Sequence, residues 1–214
     1  IIQSSVLQVN NATCPPNADF QPIVKGNAAA LSLEGLIYNA TNAVYQATTS
    51  FVGQNFGAKD YKRIRESRRC CYAITVMIAV VVCVVMMLLS KPLLSLYGVN
   101  GYSTNELEII AYDTAMLRMW YMFPFYSLLA VMEVGSGVLR GQNYSLISTV
   151  ISLVGVCLLR VVWIYTVFIA FPTLEIIYLS YPISWALASI VHFATGELIM
   201  RRDEKKLKLE SLGN

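Results

Sequence analysis

The chain has 214 residues, of which 56% are hydrophobic and only 14% charged, and its mean hydropathy is +0.55. A soluble domain carries about 25% charged residues, so the deficit points to lipid as the solvent. The net charge of +3 comes from Lys and Arg gathered in loops and at the tail, which excludes a nucleic-acid-binding face with aromatics between its basic residues.

In chain order, "IIQSSVLQV" has no basic n-region and no cleavage-site pattern, so it is not a signal peptide. It reads as the middle or end of a helix, a partial first span over about residues 1–10, and the sequence is expected to be a piece of a longer chain whose remainder lies upstream. "NNATCPPNADFQP" follows as a turn-rich loop. A second span covers about residues 26–56 and ends at "FVGQNFGA". Gly57 is expected to close it with a positive φ, the usual role of a glycine past a helix C-terminus, and Gly53 to act through close packing.

The stretch Phe51–Arg69 holds six of the sixteen Lys and Arg residues and directly precedes the uncharged run "CCYAITVMIAVVVCVVMMLL". That run lies in a third span, about residues 69–94, and reaches the length of about 20 apolar residues that crosses a bilayer. "YGVNGYSTNE" is the next loop. The fourth span is about residues 107–139 with a kink at Pro124, which a membrane helix tolerates where neighbours satisfy the freed carbonyl. "RGQNYS" is a tight turn, the fifth and sixth spans are about residues 146–171 and 175–200, and a basic tail occupies residues 201–214. The predicted fold class is all-α integral membrane: a six-span helical lobe whose first span is truncated. Cys14, Cys70, Cys71, Cys83 and Cys157 show no CxxC spacing, hence neither a disulfide framework nor a zinc site.

Loops alternate sides, so charge can be counted by side. Lys59, Lys62, Arg63, Arg65, Arg68, Arg69, Arg140, Arg201, Arg202, Lys205, Lys206 and Lys208 fall on one side, against Lys25 and Lys91 on the other. Twelve against two is a positive-inside bias. It makes Phe51–Arg69 a cytoplasmic loop and the C-terminus cytoplasmic.

The second span carries Asn27, Glu34, Tyr38, Thr41, Asn42, Tyr45 and Thr49 at spacings of three, four and seven, within one arc of a helix. Hydrocarbon cannot solvate that arc. A carboxylate at membrane depth costs at least a few kcal/mol unless paired, protonated or hydrated, which singles out Glu34 and, in the fourth span, Glu133. Arg118, Tyr126, Glu133 and Ser136 share an arc in the fourth span, Arg160 lies in the fifth, and Tyr181, Ser184, Trp185, His192 and Thr195 lie along one side of the sixth. At about 1.5 Å per residue, Glu34 and Arg118 lie about 12 and 16 Å below the same membrane face, close enough to meet if their helices are neighbours. Ser, Thr and Asn commonly serve as polar glue between membrane helices, and His192 reads as a packed histidine. No catalytic constellation appears, and no Gly-rich phosphate loop ends in Lys-Ser/Thr. An enzyme is not expected.

"GNAAALSLEGLIYNATNAVYQATTSFVGQNFGAKDYKRI", Gly26–Ile64, with "MEVGSGVLRGQNYS", Met132–Ser145, resembles the multidrug and toxic compound extrusion (MATE) family. The resemblance extends over essentially the whole chain. It implies one six-helix lobe of a twelve-helix, two-lobed transporter with a V-shaped cavity, here the second lobe, with a missing N-terminal lobe as partner. It further implies export of organic cations or other amphipathic compounds in exchange for Na+ or H+, from a bacterial inner membrane. No cofactor is expected beyond that coupling ion, with Na+ placed near Glu34 or Glu133. In one branch of the family the fourth-span acid lies about a turn earlier, where this sequence has Leu129.

The expected ion and substrate pathway comprises Glu34, Tyr38, Asn42, Tyr45, Arg118 and Glu133. An unpaired Glu34 would be a ready proton carrier, in which case Glu34→Gln would abolish export and spare folding. Two other readings remain: a lipid-linked-precursor flippase or polysaccharide exporter of the same lobe architecture, favoured by a wide basic cavity around Arg118 and Arg160, and a non-transporting membrane scaffold, favoured by polar arcs buried only against protein.

The charge bias gives a topological prediction. Cysteines introduced at Lys62 and Lys206 are expected to be protected from an impermeant thiol reagent in intact cells, while those at Asn17 and Asn100 react. Labelling at position 62 and not at 17 overturns the orientation.

Overall fold

The computed structural model describes residues 1–14 and 21–212, and every regular element among them is helical. Asn17 lies outside the described residues. A short helix α1 (Ile2–Thr13) leads to α2 (Pro22–Gly57), a continuous 36-residue helix that opens on Pro22, where the missing N–H costs nothing. α3 (Tyr61–Leu88) follows after a three-residue turn, its N-terminus capped by the Asp60 carboxylate, which accepts from the Arg63 backbone N–H at 3.0 Å.

The expected cytoplasmic loop is therefore mostly helix. Lys62, Arg63, Arg65, Arg68 and Arg69 stand on the first turns of α3, because the Asp60 cap starts the helix before the apolar run begins. The left-handed residue of the turn is Lys59, with φ 57°, and Gly57 remains helical, contrary to the expectation placed on it. The helix ends at Gly57, and the Ala58 N–H caps it by donating to the Gln54 carbonyl.

A short helix α4 (Ser90–Leu96) precedes α5 (Glu106–Met122), which is capped by Asn105 and carries Glu106 and Glu108 in its first turn. Acids there favour the positive end of the helix dipole. The span expected over residues 107–139 breaks at Pro124. A 3-10 turn, Phe123–Phe125, divides it from α6 (Tyr126–Gly141). α7 (Ser145–Phe168) contains two π-helical stretches, Leu153–Leu158 and Ile164–Phe168. The last helix, α8 (Leu174–Leu212), passes through Pro182 without stopping, so the basic tail is its continuation.

Among the described residues four helices are long and apolar enough to cross a membrane: α3, the α5–α6 pair, α7 and α8. α2 has the length but is too polar, because its stripe of Asn, Glu, Tyr and Thr dilutes its hydropathy. It gains its place by packing on α6, α3 and α5 at once, which makes it the spine of the bundle. α3 and α7 leave rows of large apolar side chains exposed, among them Met77, Val81, Val84, Leu88, Val150, Leu153, Val154 and Leu158. Such rows suit a lipid-facing surface.

Glycine sets the contacts of α2. A Cβ on Gly26 would run into the Ala111 carbonyl oxygen, and one on Gly141 would stand 2.8 Å from the Thr49 carbonyl oxygen. Small residues let membrane helices approach this closely. Gly26→Ala is thus expected to lower the thermal unfolding temperature of the detergent-purified protein through an overpacking cost of about 1–3 kcal/mol. Gly35→Ala, where a Cβ meets nothing within 4 Å, is expected to leave it unchanged or raise it slightly.

Candidate functional site

The polar arc of α2 divides into two parts. Its outer part is buried against protein. Glu34 accepts two hydrogen bonds from Arg118 of α5, from Nε at 2.5 Å and from a terminal guanidinium nitrogen at 2.9 Å, and both side chains are all but fully buried. The other terminal nitrogen donates to Asn27 Oδ1 at 2.9 Å, and the same oxygen accepts from the Tyr178 hydroxyl at 3.1 Å. Tyr126 donates to the Glu34 backbone carbonyl at 3.0 Å. The rings of Tyr178 and Tyr181 lie 5.5 and 5.4 Å from the guanidinium carbon, near enough for cation–π attraction.

This is an ion pair in fork geometry whose partners are in turn oriented by amide and phenol groups. A two-pronged guanidinium–carboxylate contact adds geometric specificity as well as energy. The conditional expectation that an unpaired Glu34 would carry protons loses its premise. Tyr178, one turn before Tyr181 on α8, was not singled out from the sequence. Extending the sixth-span arc by three residues would have reached it.

The inner part of the arc stays accessible. Tyr38 is exposed, and Asn42 and Tyr45 are half-buried. Glu133, half-buried on α6, makes no hydrogen bond or ion pair with a described residue, yet its carboxylate lies within electrostatic range of Tyr38 and Arg140. The Arg140 guanidinium stands 6.0 Å from the Tyr45 ring. Thr41 and Thr48 fold back on the α2 backbone instead, bonding to the carbonyls of Ile37, Tyr38 and Val44. The six residues expected to form one pathway thus form two groups. Glu34 and Arg118 make a closed pair, whereas Tyr38 and Tyr45 of α2 lie towards Glu133 and Arg140 of α6, and Asn42 is half-buried between them in sequence. Leu129, the position of the acid in one branch of the family, is buried in the apolar core.

His192 is buried and its Nδ1 lies 2.8 Å from the Ala188 carbonyl, a packed histidine on the protein side of α8. The basic end of the lobe is tied by carboxylates, and the two links between α3 and α8 join residues that the sequence alone did not connect. Arg68 donates to Glu197 at 2.7 Å, Arg201 binds the other oxygen of Glu197 at 2.8 Å, and Arg65 grips both oxygens of Glu204 at 2.9 and 3.1 Å. Beside them the Tyr144 hydroxyl meets Asp203 at 3.2 Å, and its pKa is pushed up by burial first and by that carboxylate second.

The MatE family model matches residues 24–166, more than half of the chain. The chain belongs to the MatE family. Solved structures agree on the fold. An outward-facing multidrug resistance MATE transporter of the MOP superfamily is 18% identical, covers 95% of this chain and superposes with a TM-score of 0.77. A MOP superfamily transporter from Pyrococcus furiosus, described as having a binding pocket of reverse polarity, is 17% identical over 94% of the chain at 0.77. An inward-facing MATE transporter is 19% identical over 85% at 0.72. The chain spans 42%, 41% and 40% of the lengths of these three proteins. No curated protein matches it. The fold is that of a multidrug-transporter family of multi-pass membrane proteins.

The buried pair makes a quantitative prediction. Either Glu34→Gln or Arg118→Gln alone is expected to destabilise the protein by about 3–5 kcal/mol, because each strands the other's charge, while Glu34→Leu with Arg118→Leu is expected to cost less than either single change. Thermal unfolding of the purified variants checks this. Near-wild-type stability of Glu34→Gln refutes the pairing.

Proposed function

We propose that this chain forms one lobe of an efflux transporter that exchanges Na+ or H+ for cationic amphiphiles, with Glu133 as the acid at which they compete. The observation that carries the reading is the contrast between two membrane-depth acids. Glu34 has its charge cancelled by Arg118, whereas Glu133 has no hydrogen-bond or ion-pair partner among the described residues and lies within electrostatic range of Tyr38 and Arg140. An isolated intramembrane acid marks an ion or substrate path by default. A carboxylate suits a hard cation, and the nearby Tyr38 ring suits an organic cation.

Competition for one negative site couples opposite fluxes: the coupling ion expels the substrate on one side, and the substrate expels the ion on the other. Alternating access follows from two lobes rocking about that site. Support comes from the occurrence of this lobe fold in both an outward-facing and an inward-facing solved transporter. In this reading the protein lies in the plasma membrane of a bacterium, with the end of α8 in the cytoplasm, as the charge bias requires. The flippase reading required a wide basic cavity, and the cancellation of Arg118 by Glu34 removes one of its two cations.

Glu133→Gln in the full-length transporter is expected to abolish ion-coupled export of a panel of cationic dyes from cells, with protein level and unfolding temperature preserved, because Glu133 has no ion-pair partner among the described residues to strand. Undiminished export by that variant at wild-type levels removes Glu133 from the mechanism.

A further inference from the structure

Asp113, in the outer half of α5, is an acid that no side chain of the lobe answers. It is exposed and makes no hydrogen bond or ion pair with a described residue. The cations of that end are engaged elsewhere. Lys25 donates to Glu108 at 2.7 Å, and the Lys91 ammonium stands 5.3 Å from the centre of the Tyr102 ring. Glu106 precedes Asp113 by two helical turns and Trp120 follows it by two, so the three share one face of α5 at steps of about 10 Å. All three are exposed, Trp120 to 61%. The buried residues of α5 include Ala111, Thr114, Ala115 and Arg118, so the column points away from the bundle.

The deep end of this column forms one wall of a groove of about 350 Å³, in which Trp120 and Phe123 stand against Val80, Cys83, Val84 and Met87 of α3. That volume is within the range of sites for small molecules. Val80 and Val84 belong to the exposed apolar surface of α3, so the groove opens sideways to hydrocarbon. The molecules that reach it from there are those of the bilayer. Towards the outer face the apolar wall gives way to Asp113 and then Glu106. An acid on a helix face turned to lipid is costly unless paired, protonated or hydrated.

We propose that this face binds a phospholipid whose headgroup carries a free ammonium, with the ammonium paired to Asp113 and one acyl chain lying along Trp120 in the groove between α3 and α5. Both halves of the molecule are met. The apolar groove takes the chain, and a primary ammonium supplies the counter-charge and the N–H donors that Asp113 lacks. A choline headgroup has no N–H to donate, and the two carboxylates of the column repel a headgroup of net negative charge. The site lies on α3 and α5 and uses neither Glu133 nor a coupling ion, so it stands whether or not cation exchange does.

The test uses the full-length protein in phosphatidylcholine nanodiscs and reads the quenching of tryptophan fluorescence by lipids brominated at mid-chain. Subtracting the signal of Trp120→Phe isolates Trp120 from Trp163 and Trp185. Brominated phosphatidylethanolamine is expected to half-quench Trp120 at a mole fraction about threefold to fivefold below that of brominated phosphatidylglycerol, the ratio given by one exposed ion pair. Asp113→Asn is expected to remove most of that difference. Asp113→Lys is expected to reverse it, a change of sign that lost packing would not produce, and Asp113→Asn decides alone where Asp113→Lys does not fold. Equal quenching by the two lipids in the wild type, or an undiminished preference in Asp113→Asn, overturns the proposal. Dodecyltrimethylammonium that relieves the quenching at a lower mole fraction than unlabelled phosphatidylethanolamine assigns the groove to a free cationic amphiphile and overturns the lipid assignment.

Discussion

A charge inside a bilayer has no water to turn to, and the organisation of this lobe follows from how each one is met. Glu34 and Arg118 meet each other. Their bond joins α2 to α5, Asn27 and Tyr178 extend it to α8, and Tyr126 adds the start of α6. Four helices therefore converge on one carboxylate. Removing the pair by two apolar residues would leave a packed core, but keeping it fixes which faces of those helices must meet, because any other rotation of α2 or α5 strands a charge.

That constraint also explains why α2 can be so polar. A helix that fails the hydropathy test of a membrane span would be unstable alone in lipid. Packed on α3, α5 and α6, it presents the outer part of its stripe to protein and leaves lipid contact to the apolar rows of α3 and α7. Glycines at the tightest crossings, Gly26 against Ala111 and Gly141 against Thr49, let the backbones close on the stripe without room for water.

Much of this was legible in the sequence, for identifiable reasons. The apolar runs, the polar arc and the charge bias are one-dimensional patterns, so spans and stripes could be read directly. The depth of Glu34 and Arg118 followed from helical rise alone, and they do meet. The two-motif resemblance named the family that the family model independently matches. What could not be read was the pairing across helices at the basic end. Arg68 with Glu197 and Arg65 with Glu204 lie more than a hundred residues apart, and no local periodicity links them. Nor did the sequence separate Glu34 from Glu133, since both are lone acids in an apolar context until the packing supplies Arg118 to one of them. The error at Gly57 was of another kind: glycine permits a left-handed turn but does not compel one, and Lys59 took that conformation instead.

The continuity of α8 alters what its basic end can do. A helix of 39 residues is about 58 Å long at about 1.5 Å per residue, roughly twice the hydrocarbon thickness of about 30 Å. Its final turns are a rod standing out of the membrane, not a loose thread. Ties from Arg65 and Arg68 to Glu204 and Glu197 brace that rod against α3. Arg201 and Arg202 are consequently carried at a fixed height rather than averaged over a coil. On an anionic leaflet, whose surface field decays within about 8–10 Å at physiological salt, the tail's hold on the membrane depends on that height.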